Sequence, residues 1–179
     1  ILNVLDERYK LLIWGRGDRA ANAARLGVRL HQPDMVKLAE PLLGRAIEFE
    51  QLLPATDACI VTARAPVATL PIAICMAAGL PIVSTVTYTA AELLEDRHTA
   101  LMVPKPSPQL LAQRVLDLRG DSALQWSIAD MARTEAYEFF SLTRMMNQYR
   151  AVYHQMAADE AVEVPEAAAG AGLRFHGRG

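Results

Sequence analysis

The feature that most constrains this chain is a pair of short β-branched runs placed either side of one apolar helix. Ala58-Cys59-Ile60-Val61-Thr62 and Pro81-Ile82-Val83-Ser84-Thr85-Val86 are short, rich in strand formers and bounded by breakers, as buried strands are. Between them lies Thr69-Leu70-Pro71-Ile72-Ala73-Ile74-Cys75-Met76-Ala77-Ala78-Gly79. Thr69 suits a cap, Pro71 is tolerated in a first turn, and Gly79 suits the residue just past a C-terminus. The helix is apolar on nearly every side, so any fold that contains it must bury it. A strand, a buried helix and a second strand predict a parallel crossover.

The same alternation runs along the chain. Lys10-Leu11-Leu12-Ile13-Trp14 reads as a strand ending in Gly15-Arg16-Gly17, with a helix from Asp18 to Leu30 and Asp18 as its cap. Asp34 to Leu43 reads as a helix that Pro41 kinks or ends, and Ala46-Ile47-Glu48-Phe49 as a strand. Thr89-Ala90-Ala91-Glu92 has capping-box spacing and starts a helix, and Ala100-Leu101-Met102-Val103 is the last strand. Ser107-Pro108 opens a helix with a cap and a proline at the first position. Ser122 to Phe140 is helical, and a final helix starts at Ser141. Its Leu142, Met145, Met146, Tyr149, Tyr153 and Met156 recur at helical spacing, a face read as core packing. Residues 1–156 form one domain and 157–179 a tail, within which Leu173-Arg174-Phe175 is a candidate strand.

The fold class is therefore α/β, a Rossmann-like parallel sheet with helices on both faces. Ligands of such sheets bind at the carboxyl ends of the strands. That places the chemistry in loops 15–18, 63–69, 86–89 and 104–107.

Composition excludes several classes. Across 179 residues, 52% are apolar, 21% are charged and the formal net charge is −2. This is a globular composition, with no basic footprint for nucleic acid and no apolar run of membrane-spanning length. The reading is a cytoplasmic protein. Cys59 and Cys75 sit in apolar runs and read as buried free thiols. His31, His98, His154 and His176 have no metal spacing between them, and neither a metal nor a cofactor is expected. The opening Ile1-Leu2-Asn3-Val4-Leu5-Asp6 looks like the middle of a helix, which implies that sequence precedes it.

Gly15-x-Gly17-x-x-Ala20 matches the dinucleotide fingerprint G-x-G-x-x-G/A. Small residues let a backbone approach a pyrophosphate, and the helix N-terminus supplies N–H donors and a positive dipole. The fingerprint also wants an acid at the end of the next strand, about twenty residues on. Asp34 is nearest but looks like a cap, and Glu48 is too distant. A nicotinamide-dinucleotide site, another phosphate site and a structural tight turn all remain open here.

The ordered set of motifs resembles a known family. Leu11–Gly17 is an apolar strand entering Gly-x-Gly. Leu52-Leu53-Pro54-Ala55-Thr56-Asp57-Ala58-Cys59-Ile60-Val61 resembles the L-x-x-A-D-x-x-V segment of retaining GT-B glycosyltransferases. Met76-Ala77-Ala78-Gly79-Leu80-Pro81-Ile82-Val83-Ser84-Thr85 is similar to their EAMAAGLPVVAT segment. Glu92-Leu93-Leu94-Glu95-Asp96 with Leu101-Met102-Val103-Pro104 resembles E-x-I-x-D-G…G-L-L-V, and Tyr149-x-x-x-Tyr153 their terminal helix. The likeness spans about Leu11 to Tyr153.

The resemblance implies the C-terminal, nucleotide-sugar-binding lobe of a two-lobed enzyme, here lacking its first strand. An N-terminal lobe for the acceptor would lie outside this chain. Family members carry two glutamates, separated by seven intervening residues, flanking the loop before the AMAAG helix, one for the donor sugar and one for the ribose hydroxyls. The matching positions are Pro66 and Ile74, so neither carboxylate is present. Each lost charge-assisted hydrogen bond costs roughly 1.5–3 kcal/mol, about 10- to 150-fold in affinity. What remains for a nucleotide diphosphate is Gly15, Arg16, Gly17, Arg64 and the helix-terminal amides of Thr69 and Leu70, with Arg19 nearby. Asp57, Glu92 and Asp96 read as capping and turn residues, and no catalytic residue is assigned.

Three functions follow. The first is nucleotide-diphosphate-sugar binding and glycosyl transfer at a divergent donor site. The second is a non-catalytic binding or scaffolding descendant of the same fold. The third is NAD binding, which requires an acid at the end of the strand beside Lys10–Trp14.

Overall fold

The computed structural model describes residues 2, 6, 8–15, 18–31, 34–62, 69–104 and 107–162, with backbone alone at 19 and 159–162. It contains two compact units, residues 1–138 and 139–179.

In the first unit β1 (Leu11–Ile13) pairs in parallel with β2 (Val36–Leu38), matching Leu11 to Val36 and Ile13 to Leu38. Helix α1 (Asp18–Arg29) joins them. β3 (Cys59–Val61), β4 (Ile82–Thr85) and β5 (Leu101–Val103) form a second parallel sheet in that order. Among the described residues this unit further contains α2 (Ala39–Leu43), a 3-10 helix (Phe49–Ala55), α3 (Thr69–Ala77), α4 (Tyr88–Leu93), α5 (Pro108–Gly120) and α6 (Ser122–Phe139).

The pleat of β4 and β5 divides the core. Ile82 and Met102 join Ile72, Cys75 and Met76 of α3 and Ala90 of α4 on one face. Val83 and Leu101 meet Leu118 of α5 and Ile128 of α6 on the other. Successive strand residues point to opposite faces, and a parallel sheet covered on both sides buries its residues at every position. All residues of β4 and β5 are accordingly buried.

Caps fix the helix ends. Thr87 accepts a hydrogen bond from the Ala90 amide at 3.2 Å, Ser107 from Leu110 at 3.3 Å, and Asp121 from Leu124 at 2.9 Å. Past α3, the Leu80 amide donates to the Cys75 carbonyl and the Gly79 amide to that of Met76, at 3.0 and 2.9 Å. Gly79 has φ 66°. This is a Schellman closure, which needs a left-handed residue.

Three local expectations change. The expected helix from Asp34 begins instead with strand β2, because pairing with β1 fixes Val36–Leu38 as extended; Pro41 then sits in the first turn of α2, where its missing N–H costs nothing. The expected strand Ala46–Phe49 does not form. Ile47 is buried with Ala39 and Leu52, and its carbonyl accepts the Trp14 indole N–H at 3.1 Å, so it docks through side chain and carbonyl without a strand partner. Helix α4 starts one residue before Thr89, with Thr87 as the cap, so the capping-box spacing at Thr89 is not used.

The second unit contains α7 (Leu142–Val162), which Ser141 caps by accepting from the Arg144 amide at 3.3 Å. Its Leu142, Met145, Met146, Tyr149, Tyr153 and Met156 are all exposed. The expected core-packing role of this face is therefore not seen among the described residues. The expected strand at 173–175 lies outside the described residues.

Candidate functional site

Parallel strands of one sheet gather their carboxyl ends on one edge, so the exits of β3, β4 and β5, and that of β1 in the other sheet, are the candidate site's elements. β1 leaves through Trp14 and Gly15. Gly15 has φ 131° and open space where a side chain would project. Only glycine adopts that backbone without strain, and the open space leaves the peptide approachable. Trp14 is anchored by its bond to Ile47 and by the Phe49 ring, 5.0 Å away at 50°. Phe49 in turn packs on the α3 core.

β3 leaves toward α3 through residues 63–68. Arg64 and Pro66, like Arg16 and Gly17 after β1, lie outside the described residues. Thr69 and Leu70 form the first turn of α3 and are exposed, Leu70 by 67%. The first amides of a helix have no intrahelical acceptor, so this edge offers N–H donors backed by a nine-residue helix. Ile74 is half-buried one turn further on, its carbonyl accepting from the Ala78 amide at 2.9 Å.

At the exit of β4, Thr85 is buried and its hydroxyl donates to the Val61 carbonyl at 3.5 Å, tying the ends of β3 and β4 together. Tyr88 follows, 78% exposed. A hydrogen bond to the Glu92 carboxylate one turn along raises its phenol above the ordinary range. Asp96 does structural work, since its carboxylate accepts from the Met102 amide at 2.7 Å. Asp57 is exposed, beside the start of β3 and away from the carboxyl edge.

The strand beside β1 ends at Leu38, with Glu40 two residues later in α2. Asp34 precedes β2 and pairs with Lys37 at 3.1 Å, and Glu48 precedes the 3-10 helix. Neither occupies the strand end that a dinucleotide ribose would require.

No group of three or more His, Cys, Asp or Glu among the described residues is placed to hold a metal. His98 pairs with Glu135 at 3.4 Å. An open depression of about 350 Å³ is lined by Asp6, Tyr9, Leu116, Arg119 and Gly120. It lies at the far end of α5 from Ser107, so it is at the opposite edge of the sheet. There Asp6 accepts from Arg8 and, at 2.6 Å, from Arg119, whose guanidinium also covers the Tyr9 ring at 4.7 Å. Sequence reasoning missed this cluster, because no local pattern links residues more than a hundred positions apart. No helix among the described residues is long and apolar enough to cross a membrane.

Comparison with known proteins agrees with this geometry. The chain is 24% identical over 157 residues to N-acetyl-alpha-D-glucosaminyl L-malate synthase of Bacillus anthracis, covering 88% of this chain and 40% of that protein. It thus spans about two-fifths of the length of this relative. Anabaena HepE, solved with UDP-glucose, superposes with TM-score 0.73 at 20% identity, over 86% of this chain and 44% of HepE. The C-terminal domain of LpcC, a group 1 glycosyl transferase from Francisella tularensis, superposes with TM-score 0.65 at 16% identity, over 79% of this chain and 74% of that domain. The family described as glycosyl transferases group 1 matches residues 1–121. With that match over most of its length, and with parallel sheets and flanking helices, the chain belongs to the glycosyl transferases group 1 family and forms a partial, C-terminal-like GT-B lobe.

Proposed function

We propose that this lobe binds a nucleotide-diphosphate sugar at the carboxyl edge of its sheets and takes part in glycosyl transfer with a separate acceptor lobe. The observation that carries the reading is the exposed first turn of α3 at Thr69 and Leu70, at the carboxyl end of β3 in a group 1 glycosyltransferase lobe, with Gly15 in turn at the carboxyl exit of β1. Helix-terminal amides and an approachable glycine peptide suit a diphosphate. Arg16 and Arg64 supply positive charge, and Gly17 lets the backbone come close. The donor site is divergent, because Ile74 and Pro66 occupy the positions that the resemblance gives to two glutamates. Cytoplasmic placement belongs to the same proposal.

One observation favours a second reading. Glu40 follows β2 by two residues, near the place where a dinucleotide fold presents an acid to a ribose.

Thermal unfolding against millimolar UDP, GDP, ADP, UDP-glucose and NAD separates these readings. A ligand at a hundred times its Kd stabilises the fold by about 2.7 kcal/mol. Stabilisation by one nucleoside diphosphate and its sugar supports donor binding, and Arg64→Ala should weaken it. A response to NAD alone overturns donor binding in favour of the second reading. No response to any of them makes the lobe a non-catalytic scaffold.

A further inference from the structure

Trp14 leaves β1 with its side-chain donor paired and part of its surface uncovered. The indole N–H donates to the Ile47 carbonyl at 3.1 Å, and Ile47 is itself buried with Ala39 and Leu52. The Phe49 ring lies 5.0 Å away, tilted at 50° rather than stacked over the indole. These two contacts hold the side chain to one orientation, yet the residue stays 41% exposed. Large aromatic side chains gain most by burying their area, so a ring pinned at a strand exit and left open suits a flat partner. The surroundings agree in character. Ile13 pairs with Leu38, so the chain leaving β1 runs beside the chain entering α2, whose Leu42 and Leu43 are exposed as well. Next to Trp14 in sequence stands Gly15, with open space where a side chain would project.

We propose that Trp14 is the platform on which the base of a nucleoside diphosphate stacks, with the diphosphate continuing over the Gly15 peptide. The assignment rests on nucleotide binding at the carboxyl edge and adds to it the subsite for the base. Every base has a π-face, so stacking on an aromatic side chain is tolerant of base identity. The indole N–H is already engaged, so Trp14 contributes a surface and not a hydrogen bond. Because the ring is held before anything binds, association does not have to order it, which favours affinity. A base and its diphosphate are separated by one ribose, and Trp14 and Gly15 are neighbours, so a single nucleotide spans both.

The chain has two tryptophans, and the other, Trp126, is 70% exposed on α6. In Trp126→Phe the tryptophan emission is therefore that of Trp14 alone. The test titrates this variant with UDP, GDP, ADP and inorganic pyrophosphate and follows the unfolding midpoint alongside. The expected result is saturable quenching by the nucleoside diphosphate that raises the midpoint, and none by pyrophosphate. Trp14→Leu should bind that nucleotide about 5- to 150-fold more weakly, the worth of one base stack, and Trp14→Phe, which keeps a ring, should recover part of the loss. A nucleotide that raises the midpoint without altering Trp14 emission would overturn the platform and leave donor binding standing. Quenching by pyrophosphate equal to that by the nucleotide, or unchanged affinity in a folded Trp14→Leu, would overturn it too. No response in either readout would remove the platform and the donor site together. If Trp126→Phe fails to fold, the quenching should appear in wild type and vanish in Trp14→Phe.

Discussion

The Trp14 indole nitrogen donates to the Ile47 carbonyl oxygen at 3.1 Å across thirty-three residues of sequence. That bond fixes the residue leaving β1, and with it the position of Gly15, against the segment that precedes the 3-10 helix. Trp14→Phe keeps a ring against Phe49 but leaves the carbonyl without its donor. The expected cost is about 1 kcal/mol, a fall of roughly 2–4 °C in the unfolding midpoint for a chain of this size. An unchanged midpoint would show that water replaces the indole without loss.

Gly79→Ala tests the closure of α3. The added methyl would meet nothing nearer than the Arg133 Cδ at 3.5 Å, so there is room for it. The penalty is therefore one of backbone, about 1–2 kcal/mol for a left-handed non-glycine residue. Gly79→Asn, which tolerates that conformation better, should recover part of the loss in denaturant melts. Equal stability of Gly79→Ala and wild type would contradict the left-handed assignment.

The Asp6 carboxylate is held well below the usual range, chiefly by the Arg8 side chain, then by the Arg8 amide and by Arg119. Its charged form is thus favoured in the folded state. Its contribution is fully present above the ordinary carboxylate pKa, about 3.9, and is lost as pH falls through the lower folded value. The difference in midpoint between wild type and Asp6→Asn should shrink below about pH 4, and with added salt because the pair is exposed. A difference that persists unchanged into acid would assign the effect to packing.

Ile74→Glu tests the donor site by restoring a carboxylate. If the position has the role implied by the resemblance, nucleoside-diphosphate affinity should rise by about 10- to 150-fold, the value of one charge-assisted hydrogen bond. Isothermal titration reads this directly. Unchanged affinity in a folded variant would remove Ile74 from the donor site.

Sequence made β4 and β5 legible because Pro81 and β-branched runs mark them locally. It likewise revealed the Ser107-Pro108 start of α5, a cap that acts within one turn. It did not reveal β2, since Val36-Lys37-Leu38 is three residues with a charge in the middle and becomes a strand only through β1. Ile47 and Phe49 looked like a strand for the converse reason, apolar residues recruited by a tryptophan far away in sequence. At the candidate site Gly15, Thr69 and Leu70 were readable because glycine conformation and helix starts are local properties.

The open edges of the sheets carry a practical consequence. Among the described residues β1 pairs only with β2 and β3 only with β4, and Leu11, Leu12 and Ile60 on those strands are each 37% exposed. Unpaired strand backbone beside apolar side chains is a template for another strand. The colloidal behaviour of this lobe in isolation should therefore be governed by these few residues more than by its net charge, and a lysine at Leu12 or Ile60 is the smallest change that would keep it monodisperse.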